Sequence, residues 1–212
     1  MRAQGRSRLA VRRACWAALL ALSACANARI PRVGGDPPPS ESDPKMEAAY
    51  QQVLERYTRS QAVYDNLDTN VFFHATWQSP AFVEARMARD ARFRAIPAAE
   101  AAANLAAEQK RLADAVEFHL AVHANDYKFE DFNRADTMWR LALVVDGREV
   151  TPTDVNRLGR TSSPMRSIYS YMEPFWVGYR VRFPKVDLPP GTQLTFRLAS
   201  ALGKAELVYT AE

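Results

Sequence analysis

Val116-Glu117-Phe118-His119-Leu120-Ala121-Val122-His123 is the stretch on which the fold turns. Large apolar residues hold the even positions, and polar or small residues hold the odd ones. A period of two marks a strand with one face in an apolar core. Before residue 116 most of the text has the 3.6-residue period of helices. After it the period of two persists to the end of the chain.

Downstream, Trp139, Leu141, Leu143 and Val145 alternate in the same way. Asp146-Gly147 is a two-residue hairpin turn leading into Glu149-Val150-Thr151. Residues 151–167 read as a loop-rich section. Three strands follow: 175–183 around Val177, Tyr179 and Val181; 193–200 around Leu194, Phe196 and Leu198; and 204–210, reached across Ala201-Leu202-Gly203.

Upstream, Asp43-Pro44 opens a helix with Met46, Tyr50, Val53, Leu54 and Tyr57 on one stripe. Residues 70–77 form a strand with Val71, Phe73, Ala75 and Trp77 on one side. Residues 58–64 are a weaker partner strand, joined to it by a turn over 66–70. Ser79-Pro80 starts a second helix, which stops at Pro97 and restarts through the alanine-rich 99–107 to about residue 115. The expectation is an α+β domain over residues 44–212. It comprises an N-terminal helix (44–57), a helical pair inserted at 80–115, and an antiparallel, immunoglobulin-like β-sandwich of about seven short strands. A separate helical domain before residue 116 is the competing arrangement.

The N-terminus reads differently. Arg2, Arg6, Arg8, Arg12 and Arg13 precede an apolar run from Ala14 to Leu22, which is too short to span a bilayer. The run ends in Leu22-Ser23-Ala24-Cys25. This pattern resembles the lipobox of bacterial lipoproteins. The resemblance covers the signal region alone. It implies removal of residues 1–24, lipidation of Cys25 (palmitate among the acyl groups) and anchorage in the cell envelope. Ala26 in place of an aspartate favours the outer membrane. Residues 25–43 then become a tether rich in proline and glycine, able to reach about 60 Å at full extension.

Removal of the signal changes the charge. Of the 28 basic residues five precede Cys25, whereas all 24 acidic residues follow it. The remaining 23 basic residues against 24 acidic ones leave about −1 in place of the formal +4. A nucleic-acid partner is not expected, because that needs a clustered basic footprint. Cys15 leaves with the signal and Cys25 is acylated, so no thiol is available for a disulfide, metal site or nucleophile.

Few residues point to chemistry, and no catalytic residue, cofactor or metal is expected. His119 and His123 have the spacing that joins two ligands on a helix, but on a strand they stand about 13 Å apart. Asp126, Glu130, Asp131, Asn133 and Asp136 lack the glycine and closing glutamate of a calcium loop. There is no glycine-flanked serine elbow and no phosphate loop. One surface stands out: Arg180, Arg182 and Arg197 on strand faces, near Tyr169, Tyr171 and Trp176. Guanidinium groups fork onto carboxylates and phosphates, and aromatic rings stack on sugars. The same residues also suit an ordinary solvated strand face with core aromatics.

Three functions fit. The first is a non-catalytic module that binds or scaffolds an envelope protein or glycan. The second is an envelope hydrolase with a site assembled from distant carboxylates or histidines. The third is an accessory lipoprotein of an export or transport complex, gripping its partner through an apolar patch on 80–115.

Overall fold

A computed structural model describes residues 44–65 and 68–212. The lipobox with Cys25 and the tether lie outside the described residues. So do residues 66 and 67 of the expected turn.

The first helix, α1, spans Pro44–Tyr57. Strands β1 (Thr58–Asp65) and β2 (Asp68–Trp77) form an antiparallel pair. Helix α2 (Pro80–Phe93) begins as the Ser79-Pro80 pair predicts: the Ser79 hydroxyl accepts from the Phe82 amide at 3.2 Å, and proline supplies the first helical φ. Helix α3 (Ala98–Leu112) follows Pro97. Then come β3 (Ala115–Ala124), a short 3₁₀ turn (Tyr127–Phe129), β4 (Arg140–Val145) and β5 (Arg148–Val150). Asp146 and Gly147 have φ of +49° and +75°, as a type I′ hairpin requires. Strand β6 (Asp154–Arg160), helix α4 (Ser163–Ile168) and strands β7 (Val177–Pro184), β8 (Gln193–Ser200) and β9 (Gly203–Thr210) complete the described chain.

The expected loop over 151–167 is therefore corrected to a strand and a short helix. Strand β6 escapes sequence reading because it lies at a sheet edge with most side chains exposed, so no apolar alternation is imposed on it. With β6 included, nine strands stand among the described residues where about seven were expected.

The strands form two antiparallel sheets, ordered β1-β2-β3-β7-β6 and β5-β4-β8-β9. The helical pair α2–α3 connects β2 to β3, which are direct neighbours. The sheets meet through an apolar core in which Phe118 stacks on Phe196 at 4.8 Å and Phe73 meets Trp139 edge-on at 5.4 Å. Along one side the sheets are sewn together. The Gln61 side chain accepts from the Glu206 amide at 2.8 Å, and Arg59 donates to the Val208 carbonyl at 3.0 Å. On the other side, β6 and β5 are the outermost strands of their sheets.

The far face of the five-stranded sheet carries the helices. No residue of α3 is fully buried. Ion pairs attach it instead, running from Arg86 (α2) to Glu108 at 2.7 Å, from Glu108 to Arg111 at 2.8 Å, and from Arg111 to Glu117 (β3) at 2.5 Å. Arg182 (β7) closes the chain 3.5 Å from Glu117. The Arg111 hydrogen bonds hold the Glu108 carboxyl below its ordinary range. Between α1 and α2, Glu47 pairs with Arg89 at 2.8 Å, and Arg89 also donates to the Ser167 carbonyl at 2.6 Å. Burial pushes the Glu47 carboxyl up, but hydrogen bonds from Arg89 and Gln51 outweigh it and hold it low.

Candidate anion-binding site

The three histidines share one face of the five-stranded sheet. On β3, His119 and His123 point away from the core; on β2, His74 lies opposite Ala121, diagonally between them. Each ring has an aromatic partner from the segment after α4. His119 stacks on Tyr169 at 3.7 Å, His74 on Tyr171 at 4.7 Å, and His123 on Trp176 at 5.8 Å. The Tyr171 hydroxyl lies 3.3 Å from His119 Nδ1 and 2.7 Å from the Thr76 hydroxyl. Burial lowers His74 to about 4 and His119 to about 3, with the Arg86 charge adding to the latter. Both rings are therefore neutral at physiological pH and serve as packing surfaces. Among the described residues, no group of three or more His, Cys, Asp or Glu side chains is arranged to hold a metal.

The structure separates the six surface residues expected from sequence. Tyr169, Tyr171 and Trp176 are buried under that stacked layer. Arg180 and Arg182 lie on the same face of β7, paired with Asp154 at 3.7 Å and Glu117 at 3.5 Å. Arg197 belongs to the other sheet, where it joins Glu206 at 3.0 Å and Glu149 at 3.1 Å. Their charges are matched by carboxylates, and they do not converge. On the helical pair, Phe93 is the exposed large apolar residue.

A different arginine cluster does converge. Arg134, Arg157 and Arg160 line a pocket of about 400 Å³ with Tyr127, Asn133 and Glu130. Arg157 and Arg160 both come from β6. On a regular strand, residues three apart point to opposite faces. Here the register shifts between Arg157 and Gly159: Arg157 pairs with Tyr179, Gly159 with Gly178 and Arg160 with Val177. Leu158 is the extra residue of a β-bulge. Because Tyr179 and Val177 lie on one face of β7, the bulge brings both arginines to that face. Gly159 makes the bulge accessible, with φ of +99°.

Neighbours fix the Arg160 guanidinium. Arg160 donates to the Phe175 carbonyl at 2.7 Å and lies 3.4 Å from the Glu130 carboxylate. Phe175 itself has φ of +78° and is exposed, a strained backbone for a bulky residue. The Tyr179 hydroxyl donates to the Glu130 carbonyl at 2.8 Å; burial dominates and pushes its pKa up, although the nearby Arg157 charge favours its ionised form. Three cations face one lining carboxylate, so the pocket has an excess of positive charge. Tyr127 at its wall is 79% exposed. The sequence holds one clue to it, an isolated glycine between two arginines in Arg157-Leu158-Gly159-Arg160, the mark of a bulge within a strand.

A second, more apolar groove of about 560 Å³ lies between the β2–α2 junction, the α3–β3 junction and residues 185–188, with Trp77, Val83, Leu112 and Val116 among its walls. No family model matches this chain, and comparison with curated proteins and with solved structures returns no match.

Proposed function

We propose that this chain is a lipoprotein of the bacterial cell envelope, acylated at Cys25, whose folded domain is a non-catalytic binding or scaffolding module. Its ligand is an anionic component of the envelope. The observation that carries this reading is the bulge-built pocket of Arg134, Arg157 and Arg160, with three cations against the single carboxylate of Glu130. The lipobox resemblance supports the anchor, and Ala26 supports outer-membrane placement. The two-sheet core supports an immunoglobulin-like scaffold, in which loops and edges carry the ligand site.

Expression of the full chain with radiolabelled palmitate tests the anchor, and co-sedimentation with crude envelope polymers tests the binding. The expected result is labelling that disappears in Cys25→Ala, together with polymer binding that weakens as salt rises. A chain that takes no label and stays in the supernatant at low salt is not this kind of protein.

A further inference from the structure

We infer that the pocket of Arg134, Arg157 and Arg160 recognises an acidic sugar unit, a hexuronate of an envelope polysaccharide. This rests on the binding-module reading for the source of the ligand, and it adds the chemistry of the site.

Each wall of the pocket answers to one part of such a unit. Guanidinium groups present parallel N–H donors that match a carboxylate two at a time. The bulge at Leu158 and Gly159 turns Arg157 and Arg160 to one face, so both line the same pocket. Bulges at sheet edges re-aim side chains in this way. The hydrogen bond from Arg160 to the Phe175 carbonyl and its ion pair with Glu130 fix this fork before any ligand arrives. A fork held in this way loses less conformational freedom on binding.

Tyr127 offers an exposed aromatic face at the same pocket, suited to the apolar face of a sugar ring. Asn133 and Glu130 supply a donor and acceptors for ring hydroxyls. A volume of about 400 Å³ lies within the range of small-ligand sites, roughly 300–1,000 Å³, and exceeds what a bare inorganic anion fills. The pocket lies beside the outermost strand β6 of its sheet.

The test is calorimetric titration of the full chain in detergent with three probes: trigalacturonic acid, the neutral maltotriose, and sodium phosphate. Trigalacturonic acid is expected to bind and maltotriose to show no heat. Arg157→Ala and Arg160→Ala should each weaken trigalacturonic acid at least tenfold, Tyr127→Ala several-fold, and Arg197→Ala not at all. Gly159→Ala should weaken it as well, since no atom lies within 4 Å of the added methyl and only the bulge backbone is strained. If that variant unfolds by circular dichroism, the arginine variants still decide the matter. Phosphate binding as tight as trigalacturonic acid, with Tyr127→Ala neutral, would overturn the sugar assignment. Absence of binding by every probe, while the chain still co-sediments with envelope polymer, would overturn this site and leave the binding-module reading intact.

Discussion

On one side of β3, Val116, Phe118, Leu120 and Val122 meet the second sheet; on the other, Glu117, His119 and His123 meet helices and the segment after α4. These residues alternate along a single strand, and all of them but the half-buried His123 are buried. The inter-sheet side is held by apolar area, which is indifferent to direction and contributes about 1.5–3 kcal/mol for each large side chain removed from water. The helix side is held by groups that each need a partner: a carboxylate between two arginines, and the neutral imidazole of His119 stacked on Tyr169. The first side tolerates changes that keep volume. The second depends on geometry and on protonation state.

Phe118→Ala should have the largest effect. It empties space shared with Phe183, Phe196 and Tyr209 and is expected to destabilise the fold by about 3–5 kcal/mol in urea titrations. Its stability should keep the pH dependence of the parent chain, because no histidine is touched.

Acid should act on the opposite side. Both His74 and His119 have folded pKa values below the ordinary 6.5, about 4 and about 3. Below pH 6.5 the unfolded chain takes up protons that the folded chain refuses, so their stabilising contribution is full above 6.5 and is lost as pH falls. The slope approaches about 1.4 kcal/mol per pH unit for each histidine, or roughly 2 kcal/mol apiece between pH 6.5 and 4.5. Denaturation across that window should steepen in acid, and His119→Gln should remove about half of the slope. A chain whose stability is flat from 6.5 to 4.5 would show that these rings are not the neutral, stacked pair described.

Glu117→Gln sharpens the contrast further. It leaves Arg111 and Arg182 without their shared carboxylate, although Arg111 retains Glu108. A loss of about 2 kcal/mol is expected, below that for a wholly isolated buried charge. A double-mutant cycle with Arg111→Gln should show coupling of about 0.5–3 kcal/mol. At the small end, Arg197→Ala removes ion pairs on the solvated face of the other sheet and should change stability by less than about 0.5 kcal/mol.

The legible parts of the fold were those governed by local rules. The alternation from Val116 to Val122 names a strand and its core face. Pro44 and Ser79-Pro80 place two helix starts, and Asp146-Gly147 places a hairpin. Strand β6 was illegible because an edge strand with little buried surface needs no pattern. The candidate site was illegible for a related reason. Arg157 and Arg160 have the wrong spacing to share a regular strand face, and only pairing with β7 reveals the bulge that corrects it.

By itself the sequence determined the order of elements outside residues 151–167, the inward face of the main strands and the charge balance after residue 24, since each follows from neighbours along the chain. Tertiary structure alone decided three further matters. The three histidines share a face because β2 pairs with β3 in one register. Arg197 parts from Arg180 and Arg182 because β8 and β7 enter different sheets. Arg134 joins Arg157 and Arg160 because the loop before β4 packs beside β6. Strand pairing and sheet assignment are contacts between distant parts of the chain, and local residue patterns do not encode which partner a strand meets.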